Sequence, residues 1–122
     1  MQPFLDKTVF TYRGFSQDVL LNQLRSPDGR VPTYDVIYID GSHFAKDCLV
    51  DAVISFEMLK TGGYIIFDDY QWGDKFPDHY RPRMAIDAFT SVYKDRFKVL
   101  SAGHQLVGYK VDDKWLYDRE AF

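Results

Sequence analysis

Cysteine is almost missing from this chain of 122 residues: Cys48 stands alone, so no internal disulfide can hold the fold, which suits a reducing compartment. Long apolar runs are missing too. None approaches the ~18 residues that a membrane-crossing helix needs, and the opening MQPFLDK lacks the charged-then-apolar order of a secretory signal. A cytoplasmic protein is the expectation. No basic run occurs, and fifteen Lys+Arg against eighteen Asp+Glu leave a formal charge of −3, which argues against nucleic acid or an anionic membrane as partner. Repeats and low-complexity stretches are likewise lacking. What remains, 46% hydrophobic and 27% charged, is the profile of one globular domain. At this length folding buries roughly two-thirds of the unfolded surface, enough for one core and too little for separate cofactor and substrate domains.

Two short apolar runs, Val36-Ile37-Tyr38-Ile39 and Tyr64-Ile65-Ile66-Phe67, are β-branched or aromatic nearly throughout, and aspartate follows each. Continuous rather than alternating apolarity predicts strands covered on both faces. Between them Ala45, Cys48, Leu49, Ala52, Val53, Phe56 and Leu59 recur at three- and four-residue steps, which predicts one helical stripe ending at Gly62-Gly63. Upstream, residues 8–12 read as a further strand, and Ser16 can cap a short helix carrying Leu20, Leu21 and Leu24 before a loop over 26–29. Downstream, Pro82 suits the first turn of a helix that turns Ala85, Ile86, Ala88, Phe89, Val92 and Tyr93 inward. Residues 97–100 and 106–111 make a closing hairpin around Ala102-Gly103. The order β-α-β-α-β-α-β-β predicts a single α/β domain over 1–122, its sheet mostly parallel and ending in an antiparallel hairpin.

Ligands of open α/β sheets bind beyond the carboxyl ends of the strands, where Asp40 and Asp68-Asp69 fall on expected neighbours. Parallel neighbours lie ~4.8 Å apart, so these carboxylates can reach one hard cation at ~2.1 Å, and without it they would repel one another. The plainer alternative is that each aspartate caps the following helix or solvates a turn. His43, three residues after Asp40, falls in the loop above the sheet, where an imidazole can take a proton from a substrate hydroxyl. Equally, it can open the next helix and hydrogen-bond its first turn. His79, in a polar loop, and His104, at a hairpin turn, read as surface residues. Tyr70, Trp72 and Phe76 follow the acid pair and form either an aromatic wall over a ligand or a cluster tucked under the loop.

Together these residues resemble the class I S-adenosylmethionine-dependent methyltransferases, and among them the metal-dependent O-methyltransferases of the catechol and macrolide-sugar type. Tyr34-Asp35-Val36-Ile37-Tyr38-Ile39-Asp40-Gly41-Ser42-His43 is similar to the family's fourth strand. Leu59-Lys60-Thr61-Gly62-Gly63-Tyr64-Ile65-Ile66-Phe67-Asp68-Asp69-Tyr70 is similar to the approach to, and length of, its fifth. The resemblance implies Mg²⁺ or another divalent cation on Asp40, Asp68 and Asp69, with His43 as catalytic base. Gly14-Phe15-Ser16-Gln17-Asp18 resembles the turn after the third strand, which implies cofactor contacts at Ser16 and Gln17, with Asp40 beside them; Ser16 can equally be only an N-cap. The resemblance covers about 8–111 and leaves 112–122 as a tail.

That coverage begins at the family's third strand, and the glycine-rich loop that cradles the cofactor has no counterpart. In the family order 3-2-1-4-5-7-6, strands one and two separate the third from the fourth. A truncated Rossmann-like sheet is therefore implied, in which residues 36–39 become an edge. They would pair with residues 8–12 of the same chain or with another chain in a homo-oligomer. The implied function is metal-assisted methyl transfer from S-adenosylmethionine to a hydroxyl of a small molecule or sugar. Two other classes fit parts of the pattern. A receiver-like module also gathers three acids around Mg²⁺, but places the acid pair early and the lone aspartate later. An inactive remnant serving as an interaction or oligomerisation module fits the lacking cofactor loop.

Overall fold

In the computed structural model of the chain, residues 16–25 and 33–111 are described. The expected strand over 8–12, the loop over 26–29 and the tail over 112–122 lie outside them. The β-branched runs form strands, β1 over Tyr34–Ile39 and β2 over Leu59–Phe67. The helices are α1 (Ser16–Leu24), α2 (Ala45–Glu57) and α3 (Pro82–Val92), the last with Pro in its first turn as its fixed φ favours. A 3₁₀ turn at Asp78–Tyr80 precedes α3. The hairpin is β3 (Phe97–Ala102) and β4 (Leu106–Lys110). In the sheet order β1-β2-β4-β3, β1 and β2 are parallel while β4 is antiparallel to both neighbours. An α/β fold with a mixed four-stranded sheet results. Among the described residues no helix is long and apolar enough to cross a membrane.

α2 ends at Glu57, two residues before Leu59, the last apolar member of the predicted stripe, and well short of Gly62-Gly63. The Met58 N–H turns back to the Ser55 carbonyl at 3.0 Å, and Leu59 already pairs with Tyr34 as the first residue of β2. Gly62-Gly63 therefore lies inside a strand instead of stopping a helix. Tyr34 pairs with Leu59 but Val36 with Tyr64, so the intervening residues of β2 bulge. Gly62 takes a φ of +83°, and a Cβ on Gly63 would stand 2.8 Å from the carbonyl oxygens of Asp35 and Lys60. Both positions need glycine.

α2 and α3 pack on each other and over one face of the sheet, where Ile39, Ile65, Phe67, Phe97 and Leu106 meet Ala52, Phe56, Ile86 and Phe89. Phe89 is the hub. Its ring meets those of Phe56, Phe67 and Phe97 at centroid distances of 5.4, 5.3 and 5.2 Å, all edge-to-face. Of the two residues predicted inward at the helix end, Val92 is 75% exposed, while Tyr93 does lie against Phe56 and Phe89. Val53 is exposed too, while Asp51 and Ser55 are buried. Lys110 is buried and donates to the carbonyls of Phe56 at 3.1 Å and Leu59 at 3.0 Å, placing a cation at the C-terminus of α2. On the other face Val36, Tyr38 and Tyr64 are about half exposed, so the strands expected to be covered on both sides are covered on one by the described residues.

Candidate functional site

Because β1 and β2 run in parallel and in register, with Ile39 opposite Phe67, they end together. The Asp68 N–H extends the ladder to the Ile39 carbonyl at 3.0 Å, so Asp40 and Asp68 leave adjacent strand ends. Asp69 then takes a left-handed conformation, φ 59°, which aspartate tolerates better than most side-chain-bearing residues. Both of its carboxylate oxygens are engaged: Oδ2 lies 2.8 Å from His43 Nε2, and Oδ1 lies 3.2 Å from His104 Nε2. Asp68 Oδ1 is 3.7 Å from His104 Nε2 and accepts from Gln105 Nε2 at 3.5 Å; the same amide donates to Tyr38 Oη at 3.0 Å. Among the described residues, Asp68, Asp69 and His104 form a group of three acidic and histidine side chains whose ligand atoms all lie within 4.8 Å of one another.

Asp40 stands beside that group. Lost hydration and then the charge and hydrogen bonding of Asp68 push its carboxyl above the usual carboxylate range, with Asp69 adding and His43 opposing. Asp68 moves the other way. Lost hydration raises it, but the Asp69 N–H, the Tyr38 hydroxyl, the Gln105 amide and His104 outweigh that and hold it below its ordinary value. Desolvation and the neighbouring Asp68 in turn raise the Tyr38 hydroxyl. Adjacent carboxyls pushed apart in this way are a common feature of sites that handle protons or cations.

His43 sits before α2 and does not cap it. The N-cap is Phe44, which makes no side-chain cap bond; just ahead of it Ser42 Oγ accepts the Phe44 N–H at 3.2 Å and donates to Asp47 Oδ2 at 3.0 Å. With an ionised Asp69 accepting at Nε2, the imidazole proton resides there, and the free lone pair of a neutral ring is at Nδ1. The ring lies flat on Trp72, centroids 3.9 Å apart and planes within 9°, and Trp72 stacks in turn on Phe76 at 5.3 Å. These rings line a cleft of about 520 Å³ with Ser42, Phe44, Pro77 and Tyr80. Trp72 and Phe76 thus form a wall, whereas Tyr70 leaves it: its hydroxyl donates to Asp87 at 2.6 Å and its ring packs on the core.

Ser16 and Gln17 open α1, and their side chains lie outside the described residues. His79 is an exposed residue against the Tyr80 ring. His104 is exposed as well, yet it meets both aspartates. A usable signal for it was topological: a strand antiparallel to β2 must begin where β2 ends, and the turn before it then faces the acid pair.

A family model described as a methyltransferase domain matches residues 2–70, more than half of the chain. Uncharacterized protein R132 of Acanthamoeba polyphaga mimivirus is 40% identical over 37 residues, 30% of this chain and 17% of that protein. Among solved structures, the O-methyltransferase NovP superposes with a TM-score of 0.60 at 14% identity, over 91% of this chain and 43% of its own. The O-methyltransferase from Bacillus cereus, solved in complex with SAH, gives 0.61 at 15% identity, over 91% and 56% respectively. MycE methyltransferase from the mycinamycin biosynthetic pathway, solved with Mg and SAH, gives 0.57 at 17%, over 86% and 34%. At such identities the likeness is one of fold. The chain spans between 34% and 56% of the length of these solved proteins.

Proposed function

Because the chain belongs to the methyltransferase-domain family, we propose that it carries the acceptor and metal side of an S-adenosylmethionine-dependent O-methyltransferase acting on a hydroxyl of a small molecule. The supporting observation is that His43, fixed by Asp69 and Trp72, borders an aromatic cleft at the strand ends that also bear Asp40 and Asp68. In this reading the acceptor lies in the cleft with its hydroxyl toward His43. Nδ1 takes the hydroxyl proton while the Asp69 carboxylate holds the ring's orientation and offsets the charge it gains. S-adenosylmethionine, when bound, would supply the methyl group for the deprotonated acceptor oxygen. Ser16, Gln17 and Asp40 are the contacts proposed for this methyl donor.

The donor set also fits a divalent cation, since Asp40, Asp68 and Asp69 bring hard oxygen atoms to one rim. Such an ion, when bound, lowers the pKa of a hydroxyl on it and so eases proton removal. The Trp72–Phe76 wall excludes water from one side of the acceptor and orients a ring laid along it.

Calorimetric titration with S-adenosylhomocysteine, with and without Mg²⁺, tests this reading. Binding that strengthens with Mg²⁺ is expected, together with a melting temperature that rises with Mg²⁺ concentration by mass action. No heat in either titration of folded protein would overturn it. In any context that turns over, His43→Ala is expected to slow methyl transfer by ~10²–10⁴-fold, the usual worth of a general base, while leaving metal binding in place.

A second reading rests on β1, which is an edge of the described sheet and leaves Val36 and Tyr38 half exposed. It makes the chain an interaction or oligomerisation module. Self-association in light scattering, combined with no S-adenosylhomocysteine binding, would favour it.

A further inference from the structure

The turn between β3 and β4 brings a nitrogen ligand to the acid pair. Leu106 is opposite Phe67, so the residues just before β4 stand beside those just after β2. The backbone ties the two segments: the Tyr70 N–H donates to the His104 carbonyl at 2.8 Å. Gln105 adds its link to Tyr38 and Asp68 from the same turn. His104 Nε2 is thereby held 3.2 Å from Asp69 Oδ1 and 3.7 Å from Asp68 Oδ1. The second separation is too long for a hydrogen bond, so a simple histidine–carboxylate pair accounts for only one of the two acids. Two donors each ~2.1 Å from one ion stand ~3 Å apart when at right angles and ~4.2 Å apart when opposed. Both observed separations fall in that interval.

We propose that His104 Nε2 is a ligand of the divalent cation at this rim, together with Asp68 and Asp69, and that it makes the site select Mn²⁺, Co²⁺ or Zn²⁺ over Mg²⁺. This rests on the metal part of the reading above and specifies it. Imidazole nitrogen suits first-row transition metals, whereas an all-carboxylate set suits Mg²⁺. Asp69 serves both roles without conflict, because Oδ1 faces the ion while Oδ2 keeps the His43 N–H. His104 is exposed, so an ion reaches it from solvent, and the neutral ring binds it through the Nε2 lone pair with its proton on Nδ1.

The test is calorimetric titration of the full chain with Mg²⁺, Mn²⁺, Co²⁺ and Zn²⁺ in turn, without methyl donor or acceptor. Wild type, His104→Ala and, as a control for adventitious histidine binding, His79→Ala are compared after circular dichroism has shown them folded. Wild type is expected to bind Co²⁺ and Zn²⁺ at least about tenfold more tightly than Mg²⁺. His104→Ala should lose about 10–100-fold for Co²⁺ and Zn²⁺ and keep its Mg²⁺ affinity, and His79→Ala should match wild type. The visible absorption of bound Co²⁺ should change in His104→Ala and not in His79→Ala. Equal affinities in wild type and His104→Ala, a wild-type preference for Mg²⁺, or no binding of any ion would each overturn the proposal. Failure of the methyl-transfer reading looks different: selective metal binding persists while S-adenosylhomocysteine gives no heat.

Discussion

Two aromatic clusters of this domain are built from the same kinds of side chain and arranged in opposite ways. Under α2 and α3, Phe56, Phe67, Phe89 and Phe97 meet edge-to-face and are essentially excluded from water. Over the strand ends, His43, Trp72 and Phe76 lie face on face, and Phe44, Phe76 and Tyr80 are about half exposed. Edge-to-face packing closes every ring face with a neighbour and serves stability. Stacking ends in a ring whose last face is open, and an open face is what a ligand needs. Exposure and the His43–Trp72–Phe76 stack mark the cluster that borders the cleft, where Phe44 and Tyr80 also meet edge-to-face at 5.3 Å.

The sharpest way to break this contrast is Phe89→Ala, which removes the hub of the core and should cost ~3–5 kcal/mol in chemical denaturation. Lys110→Ala comes next. It leaves the Phe56 and Leu59 carbonyls without the ammonium that reaches them, an expected loss of ~1–3 kcal/mol by the same measurement. Phe76→Ala, in the cleft, should change stability by less than ~0.5 kcal/mol, as exposed sites do, while weakening binding of ring-bearing acceptors. A stability loss as large as that of Phe89→Ala would erase the distinction. A further prediction concerns Cys48, whose thiol is pushed up to about 12 by burial and then by Asp51. A thiol held protonated should stay unreactive toward disulfide reagents at pH 8 in the folded chain and react on unfolding. Its folded value is raised, so its contribution to stability is whole below the ordinary thiol value of 9.0 and is lost as pH climbs toward 12. Denaturation at pH 8 and 10.5, compared with Cys48→Ala, reads that loss.

Local signals made part of this legible in the sequence. Residues 36–39 and 64–67 are strands because β-branched and aromatic side chains suit a pleated sheet, and their parallel pairing placed Asp40 and Asp68 together. Pro82 marked the start of α3 for a purely local reason. Leu59 misled because it fits the spacing of the helical stripe and the start of β2 equally well, being buried in either. The histidine at 104 was harder still. Its nearness to Asp68 and Asp69 depends on β4 lying against β2, a pairing across some forty residues that no local period records. The direction of the Tyr70 side chain, toward Asp87, depends likewise on where α3 docks.

The position of β4 has a consequence for how the domain comes into being. It is the last described strand along the chain and yet lies between β2 and β3. On a ribosome β2 and β3 emerge before the strand that joins them exists, so a growing chain carries two unpaired edges and an apolar layer without its floor. The Lys110 ammonium, which tethers the end of α2, arrives with the last residue of β4. Native pairing therefore closes in a late, non-local step, and until then the nascent chain is exposed to aggregation and open to chaperones.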